Sequence, residues 1–333
     1  MCGLMQDPFG RTISYLRLSV TDRCDFRCTY CMAEDMTFLP KAEVLSLEEM
    51  GRLAQAFIEL GVTKIRLSGG EPLVRKGVMT LFKDIGSHRG AGGLEELTLT
   101  TNASQLHRYA DDLYAAGVRR INVSMDSLKP EKFNLITRGG NLPQVLTGIE
   151  AAKQAGLKIK VNAVALKDFN EDELHTFVAW CGAEGFDLTF IEVMPLGEMG
   201  DVQRTDQFLP LTEVRERLAQ RWTLTQSDHR TGGPSRYVEV AETGTRIGFI
   251  SPLTQNFCDG CNRVRVTCTG RLVLCLGHED GVDLREVLRS TEGLEPIKRT
   301  IVKALGLKPE RHDFMIGEGA QPAVARYMST TGG

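Results

Sequence analysis

Residues 15–31 read YLRLSVTDRCDFRCTYC, an apolar, β-branched run followed at once by Cys24, Cys28 and Cys31 in a C-x3-C-x2-C spacing. The run over 15–21 reads as a strand, so three thiols crowd one short loop at its C-terminal end. Thiols that close can share one ion or cluster. A structural zinc site takes four ligands in a closed shell, and an electron-transfer 4Fe-4S cluster also takes four cysteines. Three leave one metal position open, and an open position permits chemistry on a bound ligand. The same spacing also fits a zinc knuckle with a distant fourth ligand, or three buried apolar cysteines.

Downstream, strands and helices alternate. Ser46-Leu47-Glu48-Glu49 is a capping-box helix start, and Gly61 ends that helix. Strands are expected at 64–68 (KIRLS), 94–101, 119–125, 158–166 and 187–194, with helices between them. Six such units imply a parallel sheet with helices outside. Six is too few for a closed eight-unit barrel, so the expectation is an α/β fold: an incomplete (β/α)6 TIM-like barrel over residues 1–205. Chemistry in such folds lies beyond the C-terminal ends of the strands. The cysteine loop, Gly69-Gly70-Glu71-Pro72, Thr100-Thr101-Asn102, Ser124 and Met194 all fall at such ends.

The pattern changes after about residue 200. A polar connection leads to a helix at 211–220, a hairpin around Glu242-Thr243-Gly244-Thr245, and helices near 284–290 and 294–305. This reads as a smaller α+β domain, 206–333, covering the barrel's open side. It carries Cys258, Cys261, Cys268 and Cys275, with Arg263 and Arg265 two apart on a strand and so on one face. Guanidinium forks suit phosphates; a solvated strand face would read the same way. If 263–268 and 271–275 pair across a two-residue turn at Thr269-Gly270, Cys268 faces Arg271 at the tip and Cys275 faces Val264 near the base. That puts Cys275, not Cys268, beside Cys261.

The chain has 333 residues, nine cysteines and a net charge of -3, which offers no nucleic-acid footprint. Clustered cysteines argue for metal binding in a reducing compartment rather than a disulfide framework. Cys2 and Cys181 stand apart, Cys181 in a helical pattern as a small core residue. The first residues lack the apolar core of a signal peptide, and no apolar run reaches membrane-spanning length. A cytoplasmic protein is expected.

The cysteine spacing, with Tyr30 just before the third cysteine, resembles the radical S-adenosylmethionine (SAM) enzymes. SVTDRC, RLSGGEP, TTN, NVS-x-DS, FIE-x-M, CNR-x-R and a terminal Gly-Gly together closely resemble the GTP 3′,8-cyclases of molybdenum cofactor biosynthesis, from about residue 10 to the C-terminus. The resemblance implies that a 5′-deoxyadenosyl radical takes the C3′ hydrogen of GTP and that the C3′ radical attacks guanine C8. It implies two 4Fe-4S clusters and SAM as cofactors. Cys24, Cys28 and Cys31 hold the SAM-binding cluster and, with Arg263 and Arg265, carry the catalysis. Cys258, Cys261 and Cys275 hold the second cluster, against the guanine. Tyr30, Gly70, Ser124 and Met194 line the SAM site. Arg17, Arg66, Thr100, Lys160, Arg263, Val264, Arg265, Gly332 and Gly333 contact GTP. Implied partners are an electron donor and, downstream, the cyclic pyranopterin monophosphate synthase; a homodimer is allowed. Familiar members carry arginine before Phe190-Ile191-Glu192, where this chain has Thr189.

Overall fold

Six strands follow the expected positions: β1 (Tyr15–Ser19), β2 (Lys64–Ser68), β3 (Glu96–Thr101), β4 (Arg120–Ser124), β5 (Lys158–Ala165) and β6 (Asp187–Glu192). The structure, a computed structural model, describes residues 5–90, 92–197, 206–314 and 324–332; Cys2 and Gly333 lie outside them. Helices α1 (Leu47–Glu59), α2 (Val78–Ser87), α3 (Ala110–Ala115), α4 (Pro130–Thr137), α5 (Leu142–Gln154) and α6 (Leu174–Glu184) fall between the strands. The Ser46 side chain accepts from Glu49 N and the Glu49 carboxylate from Ser46 N, so α1 begins with the expected reciprocal cap. Helix α4 is an addition. Only Phe133, Ile136 and Thr137 of its eight residues are buried, so its sequence carries little helical periodicity.

The C-terminal part supplies α7 (Leu211–Ala219), β7 (Leu224–Gln226), β8 (Arg236–Val240), β9 (Arg246–Ile250), β10 (Arg263–Val266), β11 (Arg271–Val273), β12 (Gly281–Asp283), α8 (Arg285–Ser290), α9 (Glu295–Leu305) and α10 (Met328–Thr331). Its strands widen the first sheet at both edges, in the order β12-β11-β10-β1-β2-β3-β4-β5-β6-β9-β8-β7. β10 runs parallel to β1, with Arg265 opposite Arg17, and β9 runs parallel to β6, with Gly248 opposite Thr189. Eight parallel strands are thus flanked by antiparallel hairpins. Among the described residues, no helix is long and apolar enough to cross a membrane.

One face of the sheet is apolar. Leu16, Leu18, Ile65, Leu67, Leu97, Leu99, Ile121, Val123, Val161, Leu188 and Phe190 join the buried core with Leu53, Phe57, Phe82 and Phe177 of the helices. Cys181 belongs to this core, as expected. The alternate residues face the other way and are polar: Arg66, Thr98, Asn122, Lys160 and Thr189 are all buried. Strands buried on both faces ordinarily read as continuous apolar runs. Here the period-2 charges mark a face that lines a cavity.

The hairpin β10–β11 corrects the expected register by one residue. Arg265 pairs with Val273 and Val266 with Leu272. Thr267 N donates to Arg271 O and Gly270 N to Thr267 O, leaving Cys268-Thr269-Gly270 as a three-residue connection. The Thr267 hydroxyl fixes this turn: it accepts from Arg271 N at 3.1 Å and pairs with the Thr269 hydroxyl at 2.8 Å.

Candidate active site

The loop after β1 brings Cys24, Cys28 and Cys31 to a cavity of about 270 Å³ that Cys258, Cys261 and Cys275 also line. The loop is clamped to α4 by backbone bonds from Arg27 N to Thr137 O and Thr29 N to Ile136 O. Burial, ahead of the neighbouring acidic groups, pushes the Cys24 and Cys28 thiols well up. Thiolates disfavoured in this way form when a cation takes the place of the protons, so the donor set suits a metal cluster. In the second set burial pushes Cys275 up. Cys261 is buried too, but Arg263 and Lys308 outweigh that and hold it below its ordinary value. Among the described residues, no three His, Cys, Asp or Glu side chains converge on a point that would hold a single metal ion. Cys268 stays out of the cavity: it is fully buried in the apolar core, and its carbonyl accepts from Leu45 N.

Among the described residues, the cavity carries Arg17, Arg66, Lys160, Arg263 and Arg265 against one carboxylate, Asp126. Register explains the arrangement. Arg265, Arg17 and Arg66 stand opposite one another across β10, β1 and β2, and Thr100, Asn122 and Lys160 across β3, β4 and β5. Desolvation, ahead of the Arg17 and Arg263 charges, lowers the Arg265 pKa well below its ordinary value. Burial, with Arg66 and Arg120 nearby, takes Lys160 down to about 7. Tyr15 shows the opposite balance: burial would raise its phenol, yet Arg66, Arg17 and Lys64 bring it down to about 7. Buried like charges at these distances repel strongly, so the wall is built for an anion. Thr100 Oγ1, Arg66 Nε, Ser68 Oγ, Asn162 Oδ1, Thr189 Oγ1 and Ser235 Oγ are buried without hydrogen-bond partners. Such atoms await a ligand or water.

The other motif residues divide. Gly70, Tyr30, Ser124 and Met194 line the cavity. A Cβ on Gly70 would meet the Arg23 carbonyl, so glycine is what lets β2 end against the cysteine loop. Glu71 turns away: its carboxylate accepts from Leu73 N (3.0 Å), Thr101 Oγ1 (2.9 Å) and Asn102 N (2.7 Å). Burial lifts it to about 8. Tyr30 Oη donates to Asp126 at 2.7 Å. The tail reaches the cavity wall, where Gly332 O accepts from Arg265 Nη1 at 2.9 Å. Gly332 has φ +76°, and a Cβ there would collide with Ser68 Oγ.

Sequence reasoning missed several lining residues. Tyr15 lies two before Arg17, Asn122 two before Ser124, and Asn162 two after Lys160, so strand period could have found them. Tyr237 does not line the cavity but holds Lys160 from behind, accepting from its Nζ at 2.9 Å; it comes from β8 and had no such signal.

The Radical SAM superfamily model matches residues 18–181, and the Molybdenum Cofactor Synthesis C model matches residues 186–314. The chain is 59% identical over 330 residues to the GTP 3′,8-cyclase of Mesorhizobium japonicum, covering 99% of each. The chain belongs to the GTP 3′,8-cyclase family. It is also 58% identical to the GTP 3′,8-cyclase of Nitrobacter hamburgensis, covering 99% of this chain and 96% of that one. Among solved structures, Streptococcus suis SuiB bound to S-adenosylmethionine matches with a TM-score of 0.59 at 14% identity, covering 96% of this chain and 77% of that one. At that identity the likeness speaks to the fold, a radical SAM α/β architecture, which this member of the cyclase family shares.

Proposed function

We infer that the protein is a radical SAM GTP 3′,8-cyclase, catalysing the first step of molybdenum cofactor biosynthesis. The observation that carries this reading is a single cavity lined by two cysteine triads and five cations. Bound there and reduced, a SAM-binding 4Fe-4S cluster would supply the electron that cleaves SAM, giving a 5′-deoxyadenosyl radical that would take the C3′ hydrogen of GTP. The C3′ radical would attack guanine C8, and one electron from the external one-electron donor with one proton would give 3′,8-cyclo-7,8-dihydro-GTP.

Cys24, Cys28 and Cys31 would hold the first cluster, with Tyr30, Gly70, Ser124 and Met194 around SAM. Cys258, Cys261 and Cys275 would hold a second 4Fe-4S cluster facing the guanine; three thiols on one wall, one of them shifted toward thiolate, support it. Arg17, Arg66, Thr100, Lys160, Arg263, Val264 and Arg265 would bind GTP, with Gly332 and Gly333 closing over it. The phosphates would neutralise cations that now repel one another, and Thr100 Oγ1 would gain a partner. Residues 1–205 then act as an incomplete (β/α)6 barrel and 206–333 as the unit completing it. The setting is cytoplasmic, with a one-electron donor and a downstream pyranopterin synthase as partners. Anaerobic turnover with GTP, SAM and dithionite tests the reading: 5′-deoxyadenosine and a cyclised nucleotide are expected, and 5′-deoxyadenosine with unaltered GTP would overturn it.

Two variants probe the substrate end. Arg263→Ala and Arg265→Ala should each keep the parent's iron content and bind GTP roughly ten- to 150-fold more weakly. Each loses a charge-assisted contact worth about 1.5–3 kcal/mol. Equilibrium dialysis with radiolabelled GTP reads this out, and parent affinity in both would remove these arginines from the GTP site. A chain ending at Thr331 should keep its iron and still cleave SAM but form little cyclised nucleotide, because Gly332 is what Arg265 holds against β2. Full product from the truncated chain would make the tail a frayed end.

A further inference from the structure

We propose that Asn102 sets the reduction potential of the cluster held by Cys24, Cys28 and Cys31 through an N–H···S bond to Cys24. The proposal rests on the ligand assignment above. Asn102 Nδ2 lies 3.8 Å from Cys24 Sγ and 2.7 Å from Asp25 Oδ1. A side-chain amide has two N–H donors, and here one serves each neighbour. Three further bonds fix which way the amide faces. Asn102 Oδ1 accepts from Ser104 N at 2.9 Å, Ser104 Oγ donates to the second Asp25 oxygen at 2.5 Å, and Asn102 N donates to Glu71 at 2.7 Å. The oxygen is therefore turned away and the nitrogen toward the sulfur. Phe26 N supplies a second donor to Cys24 Sγ at 3.4 Å. The TTN, GGEP and cysteine motifs are thus one hydrogen-bonded unit around this sulfur.

The consequence is electrostatic. One-electron reduction places more negative charge on the cysteine sulfurs. A donor on the sulfur stabilises the reduced form more than the oxidised one and raises the potential. A carboxylate in the same place does the reverse. Asp25 Oδ1 itself lies 3.9 Å from Cys24 Sγ, and the Asn102 amide donates to both atoms, partly offsetting that carboxylate at the sulfur; Asn102 is thus a positioning residue with a sign that can be measured.

The test is a potentiometric titration of the reconstituted full-length protein with dithionite as reductant, read by electron paramagnetic resonance. The first cluster is identified by the change SAM makes to its signal. Asn102→Leu keeps the side-chain size and removes the donor. Asn102→Asp keeps the shape and replaces the donor with a charged acceptor. With iron content at the parent level, the ratio of reduced to oxidised cluster at a fixed potential should fall about tenfold for Asn102→Leu, about 59 mV for one electron, and further for Asn102→Asp. Parent potentials in both variants, or the reverse order, would overturn the proposal. Loss of iron in both would make Asn102 a purely structural residue and overturn it too. Cys24→Ala separates the underlying assignment: a first cluster still formed in that protein would sink the ligand reading itself.

Discussion

A Cys28→Ala protein is expected to form no 5′-deoxyadenosine under conditions where the parent does, and to lose the cluster on the β1 loop. The same holds for Cys24→Ala and Cys31→Ala. All three cysteines come from the β1 loop and line the cavity; a cluster held by three thiols is left with too few when any one is removed. Cys28 sits in a medium hostile to its own thiolate, through burial first and then Cys31 and Asp126. That cost is met when a cationic cluster takes the proton's place. The loop should nonetheless survive the change. Its clamp to α4 is made of the main-chain bonds from Arg27 N to Thr137 O and Thr29 N to Ile136 O, which the Cys28 side chain does not share. Thermal unfolding near the parent's, with iron lowered and SAM cleavage lost, is the expected combination. Continued 5′-deoxyadenosine formation by Cys28→Ala would show that the radical originates elsewhere.

Cys275→Ala should lower the iron count from about eight per chain to about four and stop cyclised product, whereas Cys268→Ser should leave both at parent levels. Cys258, Cys261 and Cys275 share the cavity, and Cys268 does not. The reason lies in the hairpin. With Arg265 opposite Val273, the chain returns to bring Cys275 back beside the start of β10. Cys268 is left at the far end, in the turn, packed in the apolar core with its thiol pushed up to about 12 by burial. Substituting serine buries a hydroxyl there and costs some stability, which a melt will register without a change in iron. Retained iron in Cys275→Ala together with lost iron in Cys268→Ser would reverse the assignment.

The hairpin also shows where reading the chain reaches its limit. Strand propensity located 263–268 and 271–275, and the length of the return path chose Cys275. The register itself came out one residue away, because the Thr267 hydroxyl caps the turn and makes a three-residue connection. Side-chain capping of a turn is a local contest among several near-equal geometries. Helix α4 escaped for a related reason: with little apolar periodicity of its own, it is held by packing and by the cysteine loop it clamps.

By itself the sequence determined the six βα units, the three-thiol loop beyond β1, and the placing of the motif residues at strand ends. Those follow from local rules: period-2 and period-3.6 burial, caps, and glycine where the backbone turns. It also put Arg17 and Lys160 inside strands, where a charge needs an interior partner. Only the tertiary structure decided that β9 and β10 extend the same sheet at its two edges and so bring both cysteine sets to one cavity. It alone decided that Glu71 turns inward to latch β3, that Tyr237 reaches Lys160 from a distant hairpin, and that Gly332 meets Arg265. Each depends on pairing between segments far apart in the chain. Such pairing is chosen by the total burial and hydrogen bonding of the whole sheet, a quantity that no local stretch of sequence contains.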